Sequence, residues 1–308
     1  MNVSFVIVNY NRKNELLETI GKTKELIKDN LDYEIVIVDN ASSDGSAEAV
    51  KVNHPDVVLI ENKINTGAPA WNEGFDKAKG DYFIIIDDDS HIECGLEEAI
   101  NYMESNKDIG VLALNVVSGP YTSKGWKWKN GQDLVGFIGC GAVFRKSVYD
   151  EIGGYADWIF LYANEWELGL RVLEAGYRVE YFEKCEVVHR ASAINRSSKR
   201  LRVFVTSHEM AIVYKYLSSR WTYLFRMMLN NIKGLRQMGF KVTWYNIIGT
   251  IKFLRMRRTL IYTPVSHKSQ QLFLNHFEST LPAFEFIKRP CRTLIKKFGL
   301  QPVARFNQ

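Results

Sequence analysis

The sequence predicts an α/β protein built on a mostly parallel sheet with helices on both faces. Three observations support this fold class. Strand and helix patterns alternate along the first half of the 308-residue chain, the strand segments are short and almost wholly apolar, and polar residues directly follow them. Strands that are apolar on both sides are typical of parallel sheets, because helices cover both faces. The composition, with 46% hydrophobic and 24% charged residues, is that of an ordinary globular protein.

The predicted elements follow one another regularly along the chain. β-branched residues dominate the strand segments, as in Glu34-Ile-Val-Ile-Val-Asp39, whereas apolar residues of the helical segments recur three or four positions apart. In chain order, the patterns predict a strand over residues 3–8, a helix over 13–27, a strand over 34–39, a helix over 46–52, a strand over 57–60, a helix over 71–79 and a strand over 82–86.

Polar residues close the predicted strands, and they indicate where a ligand binds. Parallel sheets bind ligands beside the carboxyl ends of their strands. Asn9, Asp39 and the run Asp87–Asp89 occupy those ends, so we expect them to line one edge. The turn after the first strand, Asn9-Tyr10-Asn11-Arg12, lacks the GxGxxG pattern of dinucleotide-binding folds, and no P-loop is present. The site therefore does not use a glycine-rich phosphate cradle.

The acidic run Asp87-Asp88-Asp89 is the strongest candidate for a metal site. Side chains two apart on a strand point the same way, so we expect Asp87 and Asp89 to face one ligand and Asp88 to face elsewhere. Two neighbouring carboxylates repel each other unless a cation joins them, and Mg²⁺ or Mn²⁺ is commonly held by carboxylates together with substrate phosphates. A solvated acidic turn is the alternative. Asp39 is weaker evidence, because the Asp44-Gly45 turn explains much of the polarity of its loop.

A second acidic segment contains the candidate general base. Asn164 and Glu167 match a capping box, and Gly176 matches a helix C-terminus, so Glu167 has a structural explanation. Glu165 would stand at the first helical position, where the helix dipole keeps a carboxylate ionised but also weakens it as a base. His189 follows a valine-rich segment and is a candidate ligand, although a lone histidine is more often structural.

Charge divides the chain into two parts. From residue 200 onward there are 19 Lys and Arg against three acids, a net charge of +16, which leaves 21 bases against 32 acids, or −11, in the first 199 residues. We therefore predict a catalytic domain over residues 1–199 and a basic, mainly helical region over 200–308. The four cysteines are scattered along the chain, at Cys94, Cys140, Cys185 and Cys291. This spacing favours free thiols in a reducing compartment over a disulfide or zinc framework.

The basic region mixes Lys and Arg with aromatic residues in helical spacing. Lys288, Arg292 and Lys296 are four apart, although Pro290 interrupts their helix. Such helices bind anionic membrane surfaces, and no targeting signal or spanning segment is evident, so we expect a cytoplasmic protein on the inner face of the cell membrane. Docking onto the acidic half is an alternative. Nucleic-acid binding is disfavoured, because no nucleic-acid motif accompanies the charge.

Taken together, the motifs resemble inverting glycosyltransferases of family 2 with the GT-A fold, of the bacterial rhamnosyltransferase-like kind. The resemblance covers about residues 1–195 and depends on the order and spacing of several short motifs. These are Val6-Ile-Val-Asn-Tyr-Asn11, Val38-Asp-Asn-Ala-Ser-Ser-Asp-Gly-Ser46, Asn65-Thr-Gly-Ala-Pro-Ala-Trp-Asn72-Glu-Gly74, Gly80-Asp-Tyr with Asp87-Asp-Asp89, Gly153-Gly-Tyr with Phe160-Leu-Tyr-Ala-Asn-Glu165-Trp-Glu-Leu, and Val188-His189.

The resemblance implies a substrate and a cofactor. The donor would be a nucleoside-diphosphate-sugar, with a UDP- or dTDP-sugar favoured. The acceptor would be a lipid-linked or cell-surface glycan. Mn²⁺ or Mg²⁺ would bridge the donor diphosphate at the Asp87–Asp89 motif. Asp89 would be the direct ligand, together with Asp87, and His189 would assist. Glu165 would be the catalytic base.

The resemblance also implies further binding residues. The donor would be held by Val8, Asn9, Asp39, Asn65, Gly67, Asn72, Asp87 and Asp88, and the acceptor would be faced by Cys140, Gly141, Trp158 and Asn164, with Gly139 and the Trp126/Trp128 loop nearby.

Two departures from the family pattern leave a second function open. The chain has Ala163-Asn164-Glu165 where the family usually shows Gly-Glu-Asp, so the base reaches one methylene further. Trp71 stands where many relatives carry an arginine before the asparagine, so another cation or the metal would have to hold the diphosphate. The alternative is a catalytically weak family member that binds sugar nucleotide or glycan within a polysaccharide-assembly complex.

Overall fold

A computed structural model describes residues 2–27, 32–194, 197–233 and 235–280. Nine strands of these residues form one sheet, in the order β3-β2-β1-β4-β8-β6-β9-β5, and β7 pairs with β9. The strands are β1 (Asn2–Asn9), β2 (Asp32–Asp39), β3 (Val58–Glu61), β4 (Tyr82–Asp87), β5 (Ser90–Cys94), β6 (Ile109–Val116), β7 (Asp133–Leu134), β8 (Ala142–Arg145) and β9 (Arg178–His189).

Helices connect the strands and extend beyond the sheet. Seven of them alternate with the strands: α1 (Lys13–Leu26), α2 (Ser46–Asn53), α3 (Ala70–Lys77), α4 (Leu96–Ser105), α5 (Ser123–Trp126), α6 (Lys146–Ile152) and α7 (Asn164–Glu174). Four follow the last strand: α8 (Ser198–Tyr216), α9 (Arg220–Lys233), α10 (Leu235–Met256) and α11 (His267–Thr280). Each element predicted over residues 3–86 is present, with ends that shift by no more than two residues.

The sheet is mostly parallel, as predicted. β3, β2, β1 and β4 pair in parallel, and β6 pairs with β9 in parallel. β8 runs antiparallel to both β4 and β6, whereas β5 and β7 run antiparallel to β9. Six of the nine described strands therefore point the same way, and the carboxyl ends of β1, β2 and β4 meet at one edge.

Both faces of the sheet are covered, which explains why its strands are apolar throughout. Phe5 and Ile7 of β1 pack in one hydrophobic cluster with Leu16 of α1, whereas Val6 packs in a second cluster with Phe75 of α3. Alternate residues of a strand point to opposite faces. A strand between two layers of helices therefore buries every side chain.

The helices after β9 pack on the first part of the chain. Met210 and Phe253, from α8 and α10, are fully buried in one hydrophobic cluster with Ile159 and Leu170. The boundary at residue 199 stays a prediction, and α8 begins beside it at Ser198. Of the basic residues singled out in the sequence, Lys288, Arg292 and Lys296, with Pro290, lie outside the described residues. Within the described ranges, no helix has the length and apolarity needed to cross a membrane.

Candidate active site

A cavity of about 420 Å³ lies beside the carboxyl ends of β1 and β4. Its walls come from the turn after β1, the segment over residues 65–71, the acidic turn after β4, the loop over 137–140, the segment leading into α7, and α8. Twelve of the residues singled out in the sequence line it, although they come from distant parts of the chain: Val8, Asn65, Gly67, Trp71, Asp87, Asp88, Trp126, Gly139, Cys140, Asn164, Glu165 and His189.

Asn9 and Asp39 do not line the cavity but form a buried polar pair below it. Asn9 Nδ2 donates hydrogen bonds to Asp39 Oδ1 at 2.9 Å and to Ser42 Oγ at 3.1 Å, and the Ser42 backbone N–H donates to Asp39 Oδ2 at 3.0 Å. The pair joins the ends of the neighbouring strands β1 and β2. It therefore fixes the loop after β2 against the cavity edge.

Asn65 and Gly67 form a tight turn at the cavity wall. The Gly67 N–H donates to Asn65 Oδ1 at 2.9 Å, and Asn40 Nδ2 donates to the same oxygen at 3.1 Å. Gly67 has a φ of +75°, and a Cβ at this position would lie 1.9 Å from the Phe160 carbonyl oxygen. Glycine is therefore required both by the backbone conformation and by the close approach of the loop before α7.

Asn72 and Trp158 do not line this cavity, contrary to the prediction, and Gly141 is also absent from its lining. The Asn72 amide holds the backbone of Tyr155: Nδ2 donates to its carbonyl oxygen at 2.7 Å, and Oδ1 accepts from its N–H at 2.8 Å. Asn72 thus acts on the cavity through Tyr155, which does line it. Trp158 is half-buried against the hydrophobic cluster shared with α8.

The acidic run is arranged differently from the strand prediction. β4 ends at Asp87, and the chain turns at Asp88 and Asp89, so the alternation of a strand does not continue through them. Asp87 and Asp88 line the cavity, whereas Asp89 is fully buried behind it. Arg12, which was not predicted as a site residue, pairs with Asp88 at 2.7 Å and with Asp89 at 3.3 Å.

The three carboxyl groups differ in their proton affinity. Burial, reinforced by the charges of Asp89 and Asp87, raises the pKa of Asp88 to about 7 despite the opposing charge of Arg12. Burial alone would also raise the pKa of Asp89, but its hydrogen bond and charge interaction with His189 and the charge of Arg12 lower it to about 2. Asp89 Oδ1 lies 3.1 Å from His189 Nε2, so Asp89 holds the imidazole in place.

The candidate metal ligands form a compact group at the cavity. Asp87, Cys140 and His189 each offer a ligand atom, and these atoms lie within 4.8 Å of one another. Burial, reinforced by the charges of Asp87 and Asp89, raises the pKa of the Cys140 thiol well above its ordinary value, and soft sulfur is a poor ligand for Mn²⁺ or Mg²⁺. The oxygen of Asp87 fits Mn²⁺ or Mg²⁺, which complete their shells with phosphate and water, whereas the nitrogen of His189 fits the transition metal Mn²⁺ better than Mg²⁺. Asp89, predicted as the direct ligand, is engaged with Arg12 and His189 in this structure.

Glu165 faces the same cavity from the first turn of α7. It is the second helical residue rather than the first, because α7 begins at Asn164. Burial, reinforced by the charge of Asp87, raises the pKa of Glu165 to about 7, so burial outweighs the helix dipole considered in the sequence. A Cβ at Gly139 would lie 2.2 Å from Glu165 Oε1, so the carboxyl group rests directly over this glycine.

The predicted capping box at the start of α7 is wrong. The N-cap residue is Ala163, and no side chain caps the helix. Glu167 instead is buried, pairs with Arg171 at 2.8 Å and accepts a hydrogen bond from the Tyr216 hydroxyl of α8. Glu167 is therefore structural, as expected, but through an ion pair and α8. Gly176, with a φ of +91°, does end the helix as predicted.

The loop before α7 is strained and is held by a residue of α8. Tyr162 and Ala163 have φ values of +67° and +62°, a conformation that L-residues adopt only at a cost. His208 Nδ1 lies 2.9 Å from the Leu161 carbonyl oxygen and 3.1 Å from that of Tyr162. Because carbonyl oxygens only accept, Nδ1 carries the proton. Burial lowers the pKa of His208 to about 4, so the ring is neutral at physiological pH.

Two further groups that face the cavity were not predicted from the sequence. The first is the aromatic wall apart from Trp71 and Trp126, and the second is the side of α8 that carries Arg200 and Glu209. Burial raises the pKa of Glu209 to about 8, with Arg202 opposing. The one available signal was that Glu209 is one of three acids in the basic region. The aromatic residues of the wall are Tyr10, Trp71, Tyr121, Trp126, Phe137, Tyr155, Phe160, Tyr162 and Trp166.

Comparisons with known proteins show which family the chain resembles. Residues 4–155 match the family model described as Glycosyl transferase family 2. A stretch of 117 residues, 35% of this chain, is 38% identical to 34% of abequosyltransferase RfbV from Salmonella typhimurium. A stretch of 113 residues, also 35% of this chain, is 31% identical to 18% of poly(ribitol-phosphate) beta-glucosyltransferase from Bacillus spizizenii. The chain thus spans about a third or less of these curated relatives.

A solved structure shows the same fold over almost the whole chain. The mannosyltransferase PcManGT from Pyrobaculum calidifontis, in complex with GDP-Man and Mn²⁺, aligns with a TM-score of 0.57 over 92% of this chain and 82% of that one, at 18% identity. The mixed sheet and its edge cavity define a protein of the GT-A fold. The chain belongs to glycosyl transferase family 2. Its likeness to the rhamnosyltransferase-like kind in particular stays a prediction.

Proposed function

We propose that the chain is a metal-dependent, inverting glycosyltransferase that moves a sugar from a nucleoside-diphosphate-sugar to a hydroxyl group of a glycan acceptor. The observation that carries this proposal is that Asp87, His189 and Glu165 meet at one cavity of the GT-A sheet edge. A UDP- or dTDP-sugar is the proposed donor, and a lipid-linked or cell-surface glycan the proposed acceptor. Both relatives named above are glycosyltransferases, in agreement with the reaction class.

The donor is proposed to lie along the edge of β1, β2 and β4. Val8 and the Asn65–Gly67 turn line this part of the cavity, while Asn9 and Asp39 hold the neighbouring loop from below. A divalent cation held by Asp87 and His189 would offset the charge that develops on the leaving diphosphate. Arg200, on the α8 wall, is the proposed cation in place of the arginine that many relatives carry at the position of Trp71.

Glu165 is the proposed general base. Its carboxylate removes the proton from the acceptor hydroxyl as the oxygen attacks the anomeric carbon from the side opposite the diphosphate. One displacement inverts the configuration, and no sugar becomes bonded to the enzyme. A pKa near 7 suits this role, because the group is substantially ionised at neutral pH and still accepts a proton readily. The aromatic wall excludes water and offers ring faces to the apolar side of sugars.

Calorimetric titration of UDP, dTDP, GDP and CDP, with and without Mn²⁺, tests the proposal together with a donor-turnover assay. We expect one nucleotide to bind far more tightly with the metal, Asp87→Asn to lose that gain, and Glu165→Gln to keep binding while turnover falls at least about a thousandfold. Exposed Glu97→Gln is the matched control and should behave as wild type. Near-normal turnover of Glu165→Gln would remove it as the base, and metal-independent binding would contradict the site.

The same assay distinguishes the alternative of a catalytically weak binding protein. The cavity carries the two departures that favour this alternative, Trp71 and the Ala163-Asn164-Glu165 segment. A wild-type chain that binds a nucleotide-sugar with Mn²⁺ but releases no nucleotide in the presence of glycan acceptors would support it.

A further inference from the structure

Two helices far along the chain expose large apolar side chains. On α9, Trp221 and Phe225 are 57% and 63% exposed, and on α10 Phe240 and Trp244 are 76% and 50% exposed. Soluble proteins expose single apolar residues routinely, but contiguous groups of aromatic residues mark an interaction surface. We call this group, with its aliphatic neighbours, the aromatic face; the neighbours are Leu229, Ile247, Ile251 and Leu254.

The spacing shows that the aromatic face follows one side of each helix. On α9 its members recur every four residues, at positions 221, 225 and 229. On α10 they lie at 240, 244, 247, 251 and 254, and begin directly after Gly239, whose φ of +77° interrupts the helix. Residues three and four apart share a helix side. The other sides are used for packing, since Leu224 and Phe253 are buried in the cluster shared with the catalytic part.

The charge around the aromatic face has one sign. Between residues 210 and 277 the sequence contains eleven Lys and Arg and no Asp or Glu. Arg226, Lys241 and Arg255 are exposed on the same two helices. An aromatic side with a rim of bases complements a surface that is apolar below and anionic above, which is the interface of an anionic bilayer.

We propose that the aromatic face binds the surface of an anionic membrane, with the aromatic rings at the level of the headgroups and the bases on lipid phosphates. The helices lie on the membrane and do not cross it, in agreement with the lack of a spanning helix among the described residues. The proposal goes beyond glycosyl transfer. It would place α8, which lines the cavity and packs with α9 and α10, near a membrane-bound acceptor.

Vesicle flotation of the full chain, without sugar nucleotide, tests this inference independently of the enzymatic activity. We expect the protein to float with phosphatidylcholine vesicles that contain about 30% phosphatidylglycerol, to bind pure phosphatidylcholine far less, and to be released by salt. The combined variant Phe225→Gln, Phe240→Gln and Trp244→Gln should weaken partitioning by at least about tenfold, because three aromatic side chains no longer leave water.

Matched variants assign the effect to the aromatic face. Val52→Gln and Ile64→Gln remove apolar side chains that are equally exposed on the catalytic part, and should leave partitioning unchanged. Lys288→Gln, Arg292→Gln and Lys296→Gln test whether basic residues beyond position 280 contribute to partitioning. Partitioning that the aromatic variant leaves intact would overturn the proposal, as would preferential retention by duplex DNA at matched salt or concentration-dependent dimerisation that the aromatic variant abolishes.

Discussion

At the scale of single residues, the cavity shows how burial and charge give one kind of group different properties. Asp89 keeps a pKa near 2 because His189 and Arg12 interact with its carboxylate, although it is the most deeply buried of the three aspartates. For Glu165 and Glu209, burial is the largest influence, and it raises their pKa values to about 7 and about 8. A carboxyl group that is neutral in the fold but ionised in the unfolded chain couples stability to pH.

Glu209→Gln is expected to stabilise the protein at alkaline pH. The folded pKa of about 8 lies above the unfolded value, so the folded carboxyl group holds its proton over a range in which the unfolded one has lost it. Stability from this group is therefore complete below about pH 4 and is lost as the pH rises through 8. Glutamine is neutral throughout, so the variant should be more stable than wild type by up to about 5 kcal/mol at pH 9, and the difference should vanish near pH 4.

Chemical denaturation at the two pH values measures this difference. Exposed Glu97→Gln is the control, since it should change stability little at either pH. A difference for Glu209→Gln that stays the same at pH 4 and pH 9 would mean that its carboxyl group is not held neutral in the fold.

At the scale of elements, α8 both lines the cavity and holds the loop before α7 in its conformation. It contributes Arg200 and Glu209 to the lining, and through His208 it holds the carbonyl groups of the strained loop before α7. That loop leads directly to Glu165. Strained backbone persists only where its surroundings hold it, and α8 supplies part of that hold. The helix after the GT-A sheet therefore helps to position the proposed base.

His208→Leu is expected to lower kcat about tenfold or more while leaving metal-dependent nucleotide binding near its wild-type value. Leucine cannot donate to the Leu161 and Tyr162 carbonyl groups, so the loop relaxes and Glu165 moves from its position. His208→Asn, whose amide can donate from a similar place, should recover part of the activity. Steady-state kinetics, measured together with nucleotide titration, test whether His208 positions the loop. Equal losses of kcat and of nucleotide binding in both variants would indicate general destabilisation instead.

At the scale of the whole molecule, the GT-A part and the helices after β9 share one hydrophobic cluster. Ile159 and Leu170 of the first part pack with Met210, Phe253 and their neighbours of the second. Because the cavity has walls from both parts, the site is complete only when the two are packed together. The charges of the two halves, −11 and +16, favour the same association.

Phe253→Ala is expected to destabilise the protein by about 3–5 kcal/mol and to lower its activity, although residue 253 lies outside the cavity. Phe253 is fully buried in the shared cluster, so alanine leaves a void between the two parts. Denaturant unfolding followed by tryptophan fluorescence measures the loss. Leu254→Ala is the matched control on the exposed side of α10, and an equal loss for both variants would contradict the packing role of Phe253.

The amino-acid pattern alone predicted four of the nine described strands, β1 to β4, and most of the polar residues that close them. Short apolar runs between helical patterns were sufficient to predict these strands, because a strand covered by helices on both faces contains almost only apolar residues. The polar residues that close β1, β2 and β4 were also evident, since parallel strands bring their carboxyl ends together. Glu165 and His189 were predicted as site residues mainly from the resemblance to the family motifs, because residue type and position alone gave only weak evidence for them.

The partners and exposure of these side chains depend on how distant segments of the chain pack together. The turn at Asp88 and Asp89 placed Asp89 behind the cavity, and Asn72 went to the Tyr155 backbone, because local spacing does not report where a strand ends or which partner is nearest. Burial reversed the expected effect of the helix dipole on Glu165. The contributions of Arg200, His208 and Glu209 come from packing of α8 against a loop more than 35 residues earlier in the chain. Such contacts depend on the whole fold, and no local pattern of residues encodes them.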